Sequence, residues 1–189
     1  RLIAVDIGAR GGPIDVILKN RNIFDRIILC EGEPEEAIKL RQEGFEVIDK
    51  FVGGEVGREK FYYIATHPGA CSLKKPATKF MEIYGDKDYY LAHLNYKEID
   101  VNVTDLPIEL ERLNINQIDL LKLDIQGYEY EVLSSFLKTS IRPLIIHCEV
   151  MLVPSYFDTR YGCEMDTLLL DAHYICVRRF SETFRGGMP

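Results

Sequence analysis

Along the chain, short apolar runs alternate with amphipathic stretches, and each change of period marks an element. Leu2 to Ile7 is an apolar strand that breaks at Gly8, Gly11, Gly12 and Pro13. Pro13 suits a first helical position, where its missing N–H needs no partner, so a short helix is expected over Pro13 to Asn20. Arg26 to Cys30 reads as a second buried strand. Glu33-Pro34-Glu35-Glu36 opens a helix, with acids facing its positive end, and Gly44 terminates it. Phe45 to Val52 reads as a third strand, and Lys60 to Ala65 as a further one, one arm of a hairpin. Lys97 to Thr104 alternates, Leu106 to Leu113 is helical, and Ile118 to Ile125 is the most apolar strand of all. Tyr128 to Lys138 carries Val132, Leu133, Phe136 and Leu137 on one helical face. Leu144 to Val153 is another buried strand, Met165 to His173 a helix, and Tyr174 to Arg179 a final strand.

The runs Leu2–Ile7, Arg26–Cys30 and Ile118–Ile125 are continuous rather than alternating. Strands buried on both faces have this pattern, and helices must then cover both faces. The fold class is therefore α/β: a Rossmann-like, doubly wound, mainly parallel sheet with helices on both sides. Residues 1–189 read as a single domain. Residues 74–95 hold Pro76, Gly85 and several tyrosines, and read as an insertion or lid. The chain begins with Arg1, and Leu2 already opens a buried strand, so a piece of a longer product is expected.

Composition narrows the function classes. Hydrophobic residues make up 47% of the 189, too many for a disordered chain. A net charge of -7 argues against non-specific nucleic-acid binding. The longest stretch without Asp, Glu, Lys or Arg is the 13 residues from Phe61 to Leu73, against about 20 apolar residues for a membrane span. No signal peptide is visible. The five cysteines (Cys30, Cys71, Cys148, Cys163 and Cys176) are odd in number and lack CxxC spacing. Neither a zinc site nor a disulfide framework is expected, and the reading is a reducing, cytoplasmic setting with no metal.

Candidate chemistry gathers at the ends of the apolar strands. Val5-Asp6-Ile7-Gly8-Ala9-Arg10-Gly11-Gly12-Pro13 follows a strand and opens a helix, the context of a nucleotide-binding loop. A dinucleotide loop wants glycine where Asp6 stands, and a carboxylate repels a pyrophosphate at close range, which disfavours a nicotinamide-dependent oxidoreductase. No Gly-Lys-Ser/Thr follows, which excludes a P-loop. A ligand with a positive end and no phosphate would tolerate Asp6, and S-adenosylmethionine is such a ligand. A tight strand–helix turn without a ligand is the plain alternative. Glu31 ends the second strand 19 residues after Gly12, where an acid can grip ribose hydroxyls, or stand as a surface acid. Glu33 reads as the acid at the start of the next helix. Asp124 ends the most apolar strand and suits a base, or a helix N-cap. His147 and Glu149 end the next strand and point to one side, toward a pocket or toward a covering helix.

These segments resemble the FkbM family of class I S-adenosylmethionine-dependent methyltransferases. The resemblance is carried by Val5 to Gly12, by Cys30-Glu31-Gly32-Glu33-Pro34, by the Pro68-Gly69…Ser72-Leu73 turn and by Glu149 to Tyr156. Most of all it is carried by Leu121-Lys122-Leu123-Asp124-Ile125-Gln126-Gly127-Tyr128-Glu129. Arg10 stands where the family usually has Asn, and Gly32 where it often has Pro. The resemblance implies an S-adenosyl-L-methionine cofactor, held by Asp6, Gly8, Ala9, Arg10 and Gly12 and by Glu31 and Gly32. Asp6 and Gly8 would take the methionine end, and Glu31 the ribose. It implies O-methylation of a hydroxyl on a sugar, glycan or natural product, with Asp124, His147 and Glu149 as the catalytic candidates. A methyltransferase-fold binding module without catalysis is the alternative. Neither nucleic acid nor membrane is an expected partner.

Overall fold

The computed structural model describes residues 2–78, 91, 93–152 and 155–180. Five strands form an all-parallel sheet in the order β3-β2-β1-β7-β8. They are β1 (Leu2–Ile7), β2 (Phe24–Cys30), β3 (Glu46–Ile48), β7 (Leu120–Leu123) and β8 (Ile145–Cys148). A second sheet, order β4-β6-β5, holds β4 (Phe51–Gly53), β5 (Gly57–Tyr63) and β6 (Lys97–Asp105). The helices are α1 (Asp15–Lys19), α2 (Pro34–Gln42), α3 (Leu106–Arg112), α4 (Glu129–Phe136) and α5 (Gly162–Asp171).

Strand alternation divides the core between the two faces of the main sheet. Val5, Ile7, Ile28 and Cys30 point one way and pack with Leu106 and Leu110 of α3, Val132 and Phe136 of α4, and Met165 of α5. Ala4 points the other way onto Ile17 of α1, and Leu29 onto Leu40 of α2. Helices on both faces of a parallel sheet make this a doubly wound, Rossmann-like fold. The strand order reverses between β1 and β7, and in open sheets of this kind the crevice outside the carboxyl ends at that point takes the ligand. Gly8 and Asp124 are the first residues beyond those ends.

Three strand expectations change. The run Phe45 to Val52 is two strands rather than one. Asp49 and Lys50 interrupt it, and β4 leaves the main sheet to pair with β6. β5 pairs antiparallel with β6, from Gly57↔Val103 to Tyr63↔Lys97, so its partner is far along the chain. Tyr174 to Arg179 is not a strand: Ile175 and Val177 alternate but are 79% and 89% exposed. Side chains with strand propensity need a neighbouring ladder, and this segment has none among the described residues. The segment 74–95 is described at its ends, where Pro76 bridges to Tyr156; residues 79–90 and 92 lie outside the described residues. No helix among the described residues is long and apolar enough to cross a membrane.

Candidate active site

A cleft opens at the β1/β7 switch point. Its floor is Gly8 and Arg10 after β1, Glu31 and Gly32 after β2, and Asp124 to Gln126 after β7. One wall is Phe51 and Val52 of β4 with Phe61 of β5, and the two phenyl rings lie 4.6 Å apart. The other rim is the turn from Pro68 to Leu73.

Two glycines are required by contact. Gly8 has φ +78°, and a Cβ there would stand 2.0 Å from the Asp124 carbonyl oxygen. The ends of β1 and β7 can approach only because that atom is missing. At Gly32 a Cβ would meet the Phe51 ring at 2.4 Å, so the bare backbone lets the ring close one wall.

Glu31 is 7% exposed and lines the cleft. Its Oε1 accepts the Glu33 N–H at 2.8 Å, which fixes the carboxylate. Burial pushes its pKa up, and that backbone hydrogen bond opposes the shift. Glu33 makes no side-chain cap of α2. It pairs with Arg10, while Glu36 accepts the Gly11 N–H at 3.1 Å, so the glycine loop is tied to the start of α2.

Asp6 is placed differently from the ammonium contact expected of it. Its carboxylate is sealed beneath the loop, outside the cleft lining, with Oδ1 2.8 Å from Lys122 Nζ and Oδ2 accepting the Ile14 N–H at 3.0 Å. Burial raises its pKa, and the Lys122 ammonium opposes that. Lys122 also donates to the Gly8 carbonyl at 3.0 Å. Ala9 and Gly12 lie outside the cleft lining as well: Ala9 packs in the core beside Leu29 and Leu40, and Gly12 donates to the Ala9 carbonyl.

Asp124 is exposed and faces the cleft. It does not cap α4, whose N-cap position is Tyr128. Glu129, the first residue of α4, instead braces the turn before the helix: its two oxygens accept the Ile125 N–H at 2.7 Å and the Gly127 N–H at 2.9 Å. Burial pushes Glu129 up to about 7. The strand alternation that would set His147 and Glu149 side by side ends with β8 at Cys148. Glu149 turns inward and accepts from Gln126 Nε2 at 3.0 Å, while His147 lies outside the cleft lining and stacks on Phe180, ring centroids 6.5 Å apart. Burial and the Lys122 charge hold His147 below its ordinary pKa.

Oxygens of Asp124, Glu129 and Glu149 come within 4.8 Å of one another, a spacing that could hold a cation. The chain supplies its own donors there: two backbone N–H groups to Glu129, and the Gln126 amide to the other two acids.

Several lining residues escaped sequence reasoning. Lys50, Phe51 and Val52 were read as strand interior, and the Asp49-Lys50 break was the available signal. The Pro68–Leu73 turn, by contrast, was singled out in the sequence, and Ser72 in it pairs back onto Tyr62 of β5 and hydrogen-bonds through Oγ to the Gln126 carbonyl at 2.7 Å.

A family model described as the methyltransferase FkbM domain matches residues 6–176, which is most of the chain. The chain belongs to that family and is a methyltransferase. Methyltransferases of this family generally use S-adenosylmethionine. No curated protein and no solved structure matches the chain.

Proposed function

We propose that this methyltransferase transfers the methyl group of S-adenosyl-L-methionine to a hydroxyl oxygen of a sugar, glycan or natural product. The observation that carries the reading is that Glu31, from β2, and Asp124, from β7, line one cleft on either side of the Gly8 loop. The donor set fits the cofactor. Glu31 has one oxygen fixed by Glu33, leaving acceptor capacity for ribose hydroxyls, and the Phe51 and Phe61 rings suit a flat purine. The acids suit a cationic sulfonium, and no side chain of the lining demands a phosphate. When bound, the cofactor supplies an already activated methyl group, so the protein has to orient the acceptor and remove a proton.

Asp124 is the group that accepts the acceptor hydroxyl's proton as the new bond forms, with Glu149 beside it and His147 as the more distant candidate. Asp6 acts on the cofactor through the loop it holds rather than by contact. Five cysteines, odd in number and without CxxC spacing, support a reducing, cytoplasmic setting.

The test is label transfer from methyl-labelled S-adenosylmethionine to a panel of sugars and hydroxylated natural products, with amine acceptors in parallel. Label in an alkali-stable ether on an oxygen is the expected result. Label on nitrogen would overturn the hydroxyl assignment. Cofactor binding without transfer to any acceptor would favour a binding module.

A further inference from the structure

Gln126 occupies a costly backbone position. It has φ +56° and precedes Gly127 at φ +92°, a left-handed conformation that side chains other than glycine and asparagine rarely take. What that conformation achieves is visible in its contacts. The side-chain Nε2 donates to Asp124 Oδ1 at 2.8 Å and to Glu149 Oε2 at 3.0 Å. The side-chain Oε1, at 3.1 Å, shares the one hydroxyl hydrogen of fully buried Tyr156 with the Ala70 carbonyl, at 2.9 Å. The backbone carbonyl accepts from Ser72 Oγ.

The amide therefore has only one workable orientation. Turned over, its oxygen would face two carboxylates and its nitrogen would lose both acceptors. Asp124 comes from the end of β7 and Glu149 from just beyond β8, and each already has its backbone N–H tied to a neighbouring strand, on Ile7 and Leu123. One amide, using both of its N–H groups, thus holds two like charges together at the mouth of the cleft.

We propose that Gln126 is a positioning residue for methyl transfer: its amide bridges Asp124 and Glu149 into one acidic pair and aims that pair at the acceptor hydroxyl. This rests on the reading of Asp124 as the proton acceptor. Each bridged carboxylate spends one oxygen on the amide, and the acceptor hydroxyl is met by an acid of fixed direction. Charged and titratable groups near the pair include Asp6 and Lys122 beneath the loop, Glu129 on α4 and His147 on β8, and it is the Gln126 amide that donates to both acids.

The decisive experiment needs neither acceptor nor transfer. Side-chain carboxyl resonances of Asp124 and Glu149 are followed by carbon-13 NMR against pH in the whole protein and in Gln126→Met, which keeps the length and removes the amide. Gln126→Ala serves as a second variant should the methionine perturb the turn. Affinity for S-adenosylhomocysteine is measured by calorimetry on each. Losing a donor that favours the charged form, with a like charge alongside, should move at least one carboxyl midpoint upward by about one pH unit. Because Gln126 lines the cleft, S-adenosylhomocysteine affinity is read alongside and should fall by less than about tenfold. Unchanged midpoints in both variants would overturn the proposal, and so would a tenfold loss of affinity, which would make Gln126 a cofactor-binding residue instead. Failure of the methyltransfer reading would show separately, as absence of S-adenosylhomocysteine binding by the unsubstituted protein.

Discussion

The ammonium of Lys122 lies 2.8 Å from Asp6 Oδ1, and the two side chains are 4% and 0% exposed. This buried pair joins β1 to β7 directly under the glycine loop, and the same ammonium holds the Gly8 carbonyl. Removing one partner leaves an uncompensated buried charge, whereas removing both charges avoids that cost. Lys122→Met should therefore destabilise the protein by about 3–5 kcal/mol in urea unfolding. Asp6→Asn combined with Lys122→Met, which keeps an acceptor for the Ile14 N–H, should be distinctly more stable than Lys122→Met alone. Equal losses in the two proteins would show that the pair's charge is not what matters.

Glu31 and Glu33 differ by two positions but face different partners. On the proposed function, Glu31→Ala removes charge-assisted hydrogen bonds to the ribose, so affinity for S-adenosylhomocysteine should fall by about 2–3 kcal/mol. Glu33→Ala frees Arg10 and should cost less than about fivefold, because its ion pair is half-exposed and weakly worth keeping. Calorimetry on the two variants separates them, and matching losses would remove Glu31 from its role.

At Gly8 the chain has no room. Gly8→Ala drives a Cβ into the Asp124 carbonyl, and the ends of β1 and β7 must part. Gly11→Ala carries a similar φ of +77° but meets nothing within 4 Å. Thermal unfolding should show Gly11→Ala costing about 1 kcal/mol, the strain of the backbone alone, with Gly8→Ala costing several times more.

Stability should fall as pH rises from about 4.5 to about 7, through the raised pKa of Glu129. In that window the folded protein keeps a proton on Glu129 that the unfolded chain has released, so raising the pH favours unfolding. The buried acids Asp6 and Glu31 and the half-buried Glu33, also raised, act in the same direction. Acids held low, such as Glu36, are ionised in both states above about pH 5 and contribute no slope there. His147, held low by burial, has the opposite slope. Urea unfolding across this range should thus show a shallower decline in Glu129→Gln than in the unsubstituted protein. An unaltered slope would place the titration elsewhere.

How far the sequence could be read depended on the range of the interaction. The continuous runs Leu2–Ile7, Arg26–Cys30 and Ile118–Ile125 announced strands buried on both faces, and the acids read at two of their ends, Glu31 and Asp124, do line one cleft. Pairings across the sheet were not legible. Lys122 sits 116 positions from Asp6, and only the β1–β7 register brings them together, so a buried lysine inside an apolar run carried no visible partner. Gln126 looked like a turn residue because three of its four contacts, with Ser72, Glu149 and Tyr156, come from elsewhere in the chain. The alternation of Ile175 and Val177 announced a strand, yet period alone cannot supply the neighbouring ladder.

We place S-adenosylmethionine in the cleft at the β1/β7 switch point, and isothermal titration with S-adenosylmethionine and S-adenosylhomocysteine is the measurement on which that placement stands. Saturable one-to-one binding of both is expected, abolished or strongly weakened in Glu31→Ala, with no measurable heat from nicotinamide dinucleotides. Absence of binding by either adenosyl ligand at millimolar concentration, in a protein that unfolds cooperatively, would contradict it.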